Sequence, residues 1–461
     1  MGAGKKRKTR DARQSGGDLH RAGQGQGQSE GAGREHKRGH AGARQGTGKG
    51  RPRKPERAFR PGVRRGGAKV AEQAARWIRA GHPWVFRDAL LRPLEGVATG
   101  AAVAVADGEG NHLGYALYEP EGAVALRMVA REREFDWTSE VMLARLRAAK
   151  AHRARYVEAG FRGAARLIHS DADGFPGVAV DRYGEFLLIY KYAPAADSYL
   201  DQLVPLLEQE HEPAGIYLQD RTRAVAAEDS HKRPPASHLA GKTAPPEFEV
   251  EEDGLKFIVD VTAPVSPGLF LDLREGRRLV ERIASGRRVL NLFSFTGALA
   301  LRAVRGGAAD VTNVDAAARS HARCRQNLAA SGLDPEACEA LSGDVFKHLE
   351  RFRQRDRVFD LVVVDPPPFS TVKGSTFSAL DDWDQLATAI AHVVAPAGEV
   401  LAVANAASLT EEEFLGAVGE GTLKAGRNAR VIAECGLPPD FPVLAAFPEG
   451  KYLKVKLLSL A

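Results

Sequence analysis

Three aspartates follow apolar runs in the second half of the sequence. Asp315 ends a short run, and Asp344 closely follows another. Asp365 ends a longer run that begins at Phe359. Apolar runs of this length, separated by segments with helical spacing, predict buried parallel strands that alternate with helices. Ligands bind outside the carboxyl ends of such strands, so the three carboxylates are predicted to lie along one binding edge.

A strand, a turn and a helix are predicted over 288–301. The apolar run 289–293 ends in the turn 294–297, and helix-forming residues begin at Ala298. This order places backbone N–H groups and a helix N-terminus at the end of a strand. Further strands are predicted at 310–315, 340–344, 359–365 and 398–405. The pattern predicts an α/β fold with a doubly wound, mostly parallel sheet.

The sequence of the turn at 294–298 indicates which type of cofactor binds. It reads Ser-Phe-Thr-Gly-Ala over 294–298 and lacks the G-x-G-x-x-G pattern that lets a dinucleotide pyrophosphate approach. A nucleoside cofactor without phosphate, S-adenosylmethionine, is therefore predicted. Asp315 lies eighteen residues after Gly297, where such folds bind ribose hydroxyls, and Asp344 is predicted to bind the adenine amino group. Each carboxylate alone could instead be a helix N-cap or a surface residue.

The loop that begins at Asp365 reads Asp-Pro-Pro-Pro-Phe. Pro366 and Pro367 fix the backbone and lack N–H donors, which stiffens the loop and leaves its carbonyl groups free to accept hydrogen bonds. Such a loop can hold the polar edge of a nucleobase opposite a methyl donor. Phe369 is predicted either to stack on that base or to pack beneath the loop. A three-proline turn without a chemical role is the alternative.

The charge of the chain is concentrated at its N-terminal end. Residues 1–69 carry 20 Lys and Arg against five Asp and Glu, a net charge of +15 in a chain whose total is +6. Because this segment has few large apolar side chains, it is predicted to be a disordered basic tail. Phosphate-rich RNA is its expected partner, through release of counterions. The alternative is a solubilising tail without a specific partner.

Composition excludes several classes of protein. The sequence has no apolar run of eighteen residues and no recognisable secretory leader, which predicts a cytoplasmic protein without a membrane span. The cysteines lack the spacing of metal ligands, so no metal site is predicted. They are Cys324, Cys338 and Cys435.

The segment before the predicted sheet divides into two further regions. Residues 70–135 contain short apolar segments separated by turn residues, which predicts a small β-barrel. Residues 136–262 begin with helical spacing over 138–158 and continue with strands around the Gly/Pro-rich stretch near 174–177, which predicts an α+β connector domain. The sheet itself is assigned to 263–461.

From about residue 76 the sequence resembles the bacterial 23S ribosomal RNA large-subunit methyltransferases. The stretches that carry the resemblance are His-Pro-Trp-Val-Phe at 82–86, the segment 166–190, Asp-Pro-Pro at 365–367 and the segment 447–454. The resemblance implies a PUA-like RNA-binding β-barrel, an α+β connector and a Rossmann-like class I methyltransferase domain. Trp84 and Phe86 would then contact RNA or pack in the barrel.

The same resemblance assigns a role to residues 265–277, which it places in the cofactor pocket. Packing in the core for Phe270 and an ion pair for Arg274 are the alternatives. The complete set predicted to bind the cofactor is Phe270, Asp272, Arg274, Asn291, Phe293, Ser294, Thr296, Gly297, Asp315, Asp344 and Asp365.

One position departs from the family pattern. Members that make 5-methylcytosine use a cysteine thiolate at the end of the fifth strand, where this sequence has Asn405. A base nitrogen needs no such nucleophile, so direct nitrogen methylation of 23S ribosomal RNA is predicted, with guanine N7 the leading candidate. Cytosine C5 methylation and a non-catalytic role in ribosome assembly are the alternatives. The residues predicted to act on the base are Asp365, Pro366, Pro367, Phe369 and Asn405.

Overall fold

The computed structural model describes residues 67–157, 163–222, 233–367, 369–372, 375–378 and 381–461. Only the backbone is described at 157, 369–372 and 375–377. All described residues belong to one compact unit. The basic segment up to residue 66 lies outside them, so its disorder and its RNA binding stay predictions.

The first described region is a five-stranded sheet in the order β1-β3-β4-β5-β2. Its elements are β1 Ala68–Lys69, α1 Glu72–Ala80, β2 Trp84–Phe86, β3 Ala102–Ala106, β4 His112–Tyr118 and β5 Val124–Ala130. Ala68 pairs with Val105 and Lys69 with Ala106, so the last two residues assigned to the basic tail form the first strand of this sheet. The Trp84 ring packs against Phe447 at 4.6 Å and lies below the Arg127 guanidinium. Trp84 therefore packs between this sheet and the C-terminal segment.

A second five-stranded sheet, in the order β10-β9-β8-β7-β6, forms the connector region. Its elements are α2 Ser139–Val157, β6 Ala164–His169, β7 Val178–Tyr183, β8 Phe186–Lys191, α3 Leu200–His211, β9 Gly215–Asp220 and β10 Ser237–Gly241. Side chains alternate along β8. Leu187 and Ile189 pack in the core that α2 and α3 cover, whereas Leu188 and Tyr190 belong to the core of the next sheet.

The third sheet has seven described strands in the order β15-β14-β13-β16-β19-β21-β20. The first five are parallel, and β21 is antiparallel to both β19 and β20. Its elements are α4 Arg274–Ile283, β13 Arg288–Leu292, α5 Ala298–Arg305, β14 Asp310–Asp315, α6 Ala318–Ala330, β15 Glu339–Ser342, α7 Val345–Gln354, β16 Phe359–Val364, α8 Trp383–Ala391, β19 Val394–Ala404, α9 Glu411–Lys424, β20 Ala429–Cys435 and β21 Lys454–Leu460. The predicted doubly wound α/β sheet is confirmed.

Local sequence explains the main strands and helix starts of this sheet. The run Val362–Val364 on β16 is β-branched and buried on both faces, as expected for a central parallel strand. Helix α9 begins with a capping box in which Thr410 and Glu413 each bond the backbone N–H of the other. Within the described ranges, no helix is both long and apolar enough to cross a lipid bilayer.

Two hairpins accompany the seven-stranded sheet. They are β11 Phe248–Glu252 with β12 Leu255–Val259, and β17 Phe369–Val372 with β18 Ser375–Ser378. Phe257 and Val259 of the first hairpin belong to the same core as β13. The division of the chain at 135/136 and at 262/263 remains a proposal.

Candidate active site

The strand register brings the predicted site segments to one edge of the seven-stranded sheet. Leu292 on β13 is level with Val314 on β14 and with Val364 on β16, and Val364 is level with Ala402 on β19. The segments that follow these four strands therefore leave the sheet together. The ends of these strands and the segments after them contain the turn 294–297, Asp315, Asp365 and Asn405.

The turn after β13 is tightly constrained. Gly297 adopts the left-handed backbone conformation at φ 78°, and a Cβ there would lie 2.2 Å from the sulfur of Cys324, so only glycine fits. The Thr296 hydroxyl donates to the Gly268 carbonyl at 2.6 Å, which fixes the turn to residues 266–270. The hydroxyl of Ser294 is buried, and no described residue is its hydrogen-bond partner.

The two acids beyond the turn already accept backbone hydrogen bonds. Asp315 accepts from Phe295 N–H at 2.8 Å and from Ala317 N–H at 2.9 Å. Asp344 caps α7 by accepting from Lys347 N–H at 3.0 Å. A carboxylate has about four acceptor positions, so both acids keep acceptor capacity for ligand hydroxyl and amino groups. Asp344 therefore is a helix N-cap, which was one of the alternatives for this residue.

Asp365 has a different environment. Its Oδ1 atom is buried without a hydrogen-bond partner among the described residues. Burial raises the pKa of Asp365 to about 7; the charge of Asp272 adds to the rise and that of Arg277 opposes it. Asp272 in turn accepts from the Tyr452 hydroxyl at 2.9 Å. A buried carboxyl group without a partner is costly unless a ligand supplies donors.

Asn405 follows β19 and carries a second acceptor of the same kind. Its Oδ1 atom is buried, and nothing in the described part of the chain donates to it. The following segment is fixed because the Lys454 ammonium donates to the carbonyls of Ala406 and Tyr452, at 2.8 and 3.2 Å. Two unsatisfied acceptors thus occur at the ends of the neighbouring strands β16 and β19.

The remaining residues predicted to act on the base lie in the loop after β16. Pro366 is buried and Pro367 is half-buried. Phe369 begins β17, but its side chain lies outside the described part of the protein, as does the whole of Pro368. The proposed stacking of Phe369 stays a prediction.

Some residues predicted to bind the cofactor have other contacts. Arg274 is completely buried, where its guanidinium donates to Asp440 at 2.7 Å and to Glu252 at 3.2 Å. Asn291 donates to the Asn313 side chain at 2.9 Å within the sheet. These two residues, like Thr296, hold elements of the fold together. Arg274 therefore forms the ion pair that was the alternative to cofactor binding, and this ion pair is buried.

Three residues near the site were not predicted. The Phe295 ring lies 5.4 Å from the Phe270 ring, and both are partly exposed. Arg277 donates to the Phe270 carbonyl at 2.6 Å and moderates the pKa of Asp365. Tyr452 reaches Asp272 from the C-terminal segment. All three lay in stretches that suggested a role: Phe295 in the turn 294–298, Arg277 in the segment 265–277 and Tyr452 in the segment 447–454.

Fold and site together define a class I methyltransferase. A family model described as S-adenosylmethionine-dependent methyltransferase matches residues 166–454, and a PUA-like domain model matches residues 68–131. The chain belongs to the S-adenosylmethionine-dependent methyltransferases, and its cofactor is S-adenosylmethionine. The predicted fold, enzyme class and cofactor are confirmed.

Comparison with individual proteins narrows the family. The ribosomal RNA large subunit methyltransferase I of Photobacterium profundum is 31% identical over 383 residues, which cover 82% of this chain and 95% of that protein. The protein of the same name from Klebsiella pneumoniae is 30% identical over 374 residues, 81% and 93% of the two chains. This chain belongs to the family of these methyltransferases, as its sequence predicted.

A solved structure agrees with this assignment. SMU.776, a methyltransferase crystallised with SAH, superimposes with a TM-score of 0.78 at 26% identity over 85% of this chain and 99% of that one.

The residues at the sheet edge fit S-adenosylmethionine. The unpartnered Ser294 hydroxyl suits the polar amino-acid portion of the cofactor, and the acceptors of Asp315 and Asp344 suit its ribose and adenine groups. Among the described residues, no group of three or more His, Cys, Asp or Glu side chains is placed to hold a metal ion.

Proposed function

We propose that this protein methylates a nitrogen of a guanine base in large-subunit (23S) ribosomal RNA, with N7 as the acceptor atom. The names of its relatives support ribosomal RNA as the substrate. The observation that carries the choice of atom is the pair of unpartnered acceptors, Asp365 Oδ1 and Asn405 Oδ1, at the ends of the neighbouring strands β16 and β19.

The thiols are poorly placed for attack on a pyrimidine ring. Cys324 and Cys338 are only 3% and 7% exposed, and Cys324 lies behind Gly297. Cys435 is on β20, three strand positions from β16, or about 14 Å at the usual spacing between strands. Burial raises the pKa of Cys435 to about 11, which keeps this thiol protonated at neutral pH. Methylation of cytosine C5 through a thiolate is therefore disfavoured.

The two acceptors match the donor pattern of guanine. The Watson–Crick edge of guanine offers donors at both N1 and N2, whereas adenine, cytosine and uracil each offer only one donor position there. Asp365 and Asn405 can accept from these two groups. Guanine N7, on a different edge of the base, then has a free lone pair and no proton to lose.

Asp365 also has an electrostatic role in this proposal. S-adenosylmethionine supplies an electrophilic methyl group when bound. As the base nitrogen takes up that group, positive charge develops on the base. An ionised carboxylate in a buried site stabilises such charge more strongly than water does, because it is already oriented. The segment that carries Asn405 is fixed by Lys454, which keeps the second acceptor in place.

Mass spectrometry of nucleosides tests this function. Purified protein, 23S ribosomal RNA from cells that lack it and labelled cofactor should yield 7-methylguanosine. Asp365→Ala should lose most of this product while it still binds the cofactor. Formation of 5-methylcytidine would contradict the proposed atom, and RNA binding without methylation would favour an assembly role.

A further inference from the structure

An exposed tyrosine beside the pocket has no part in the site described so far. Tyr192 directly follows β8 and is 45% exposed. Its backbone N–H donates to the Gly177 carbonyl at 2.8 Å, which fixes its position. Its ring is stacked with Tyr190, with 6.2 Å between centroids and 24° between ring planes. Tyr192 is therefore an accessible aromatic ring on a rigid strand end.

Tyr192 lies on the side of the connector sheet that contacts the segment 265–277. The Tyr183 hydroxyl on the neighbouring strand β7 donates to the Leu269 carbonyl at 3.1 Å, and Arg221, which follows β9, donates to the Val265 carbonyl. Tyr190 belongs to the face of the connector sheet that packs on the methyltransferase core. Tyr192, two residues further along, is at the end of that face.

Two arginines accompany these rings. The Arg221 guanidinium lies 4.9 Å from the centroid of Tyr190 and donates only to neutral oxygens, those of Gln219 and Val265. The Arg233 Nε atom is buried without a hydrogen-bond partner, and burial together with the charge of Arg221 lowers the pKa of Arg233. In the described part of the chain, no carboxylate pairs with either guanidinium.

We infer that Tyr192 stacks on a base of the RNA substrate and that Arg221 and Arg233 bind a phosphate next to it. This inference rests on the proposed function, because it assumes that RNA enters the pocket at Asp365. Leu218 on β9 pairs with Ser237 on β10, so Arg221 and Arg233 lie at the same end of this antiparallel pair. Guanidinium groups on one side of a fold repel each other, and a phosphate between them relieves that repulsion.

Tyr192 and the two arginines would recognise a different part of the RNA from Asp365 and Asn405. Stacking on an aromatic ring tolerates any base, because every base has a π-face. Tyr192 and the two arginines would therefore hold a nucleotide that flanks the target without selecting its sequence. Selection of guanine would remain with Asp365 and Asn405.

A pair of substitutions at Tyr192 tests the stacking. With a 23S RNA fragment, Tyr192→Ala should raise both Kd and KM about 10- to 100-fold, the usual effect of removing one base–aromatic stack. The matched variant Tyr192→Phe keeps the ring and should stay within about threefold of the wild type. The affinity for S-adenosylmethionine should be the same in all three proteins, which also shows that they are folded.

Salt dependence tests the phosphate contact. Arg233→Gln should reduce the slope of log Kd against log salt concentration by about one, because one fewer counterion is released. Lys424→Gln is the matched control, since Lys424 is already paired with Asp384 and Glu420 on and beside α9. This control should leave the slope unchanged.

The outcomes separate the two proposals. If Tyr192→Ala binds and methylates RNA as the wild type does, the inferred surface is wrong and the proposed function stands. If RNA binding depends on Tyr192 but no RNA is methylated, the surface is supported and the proposed function is contradicted. A wild-type protein that binds no RNA overturns both.

Discussion

Two buried acids in this protein have opposite environments. Glu252 is completely buried and accepts hydrogen bonds from Arg274, Arg277 and Arg302. Burial alone would raise the pKa of Glu252, but the three guanidinium groups outweigh it and hold that pKa well below its usual range. The Oδ1 atom of Asp365 is buried as well, yet no described residue donates to it. The pKa of Asp365 rises to about 7.

The contrast distinguishes a carboxylate that stabilises the fold from one that is available to a ligand. Glu252 on β11, with its three arginines from α4 and α5, joins the β11–β12 hairpin to the methyltransferase core. Its charge is satisfied within the protein. The Oδ1 atom of Asp365 has no donor among the described residues, which is the property expected of a binding or catalytic group.

Loss of the paired acid should have the largest effect. Glu252→Gln leaves three buried arginines without their shared carboxylate, so the free energy of unfolding should fall by about 3–5 kcal/mol, measured by chemical denaturation. The matched control is Glu249→Gln in the same hairpin, whose exposed pair with Lys256 should contribute little to the free energy of unfolding because solvent screens it. Equal effects of the two substitutions would refute the contrast.

Loss of the unpaired acid should affect catalysis instead. Asp365→Ala should slow single-turnover methylation about 10²- to 10³-fold, the usual cost of removing one oriented group that stabilises charge in the transition state. Its free energy of unfolding at pH 8 should equal or exceed that of the wild type. A variant that is inactive because it no longer folds would contradict this assignment.

The stability of Asp365→Asn should depend on pH. The folded pKa of Asp365 is about 7 and its ordinary value is 3.8. The free energy of unfolding therefore falls as the pH rises between these two values, and the full loss is present above pH 7. Removing the charge should therefore raise the free energy of unfolding by about 1–3 kcal/mol at pH 8.5, with little change at pH 4. A gain of the same size at both pH values would show that the carboxyl group does not titrate as described.

The smallest effect is expected at the thiols. Replacing Cys324, Cys338 and Cys435 together with alanine should leave the methylation rate per folded molecule within about twofold, because no thiol attacks the base in the proposed route. The active fraction is measured by cofactor binding. A loss of several orders of magnitude would instead indicate covalent catalysis.

The sequence predicted the sheet and its acids well because local patterns determine them. Apolar runs that end in Asp315 or Asp365 specify both a buried strand and a polar group at its carboxyl end. The sequence could not reveal that Arg274 turns inward, since its partner Asp440 lies 166 residues away along the chain.

Sequence patterns also did not predict the tyrosines on the connector side of the site. Tyr192 and Tyr452 come from separate regions, and only packing of the connector sheet on the methyltransferase core brings both to the segment 265–277. Neither tyrosine follows a spacing that indicates chemistry. Residues brought together by packing between sheets need a structure to be recognised.

The pH dependence of catalysis tests the central claim most directly. The value of kcat/KM for S-adenosylmethionine reports ionisation in the free enzyme. For the wild type it should rise through about pH 7 as Asp365 ionises, and in Asp365→Asn it should be low and independent of pH over the same range. A wild-type profile without a rise near pH 7, or the same rise in Asp365→Asn, would contradict the account of an unpaired carboxyl group at the catalytic edge.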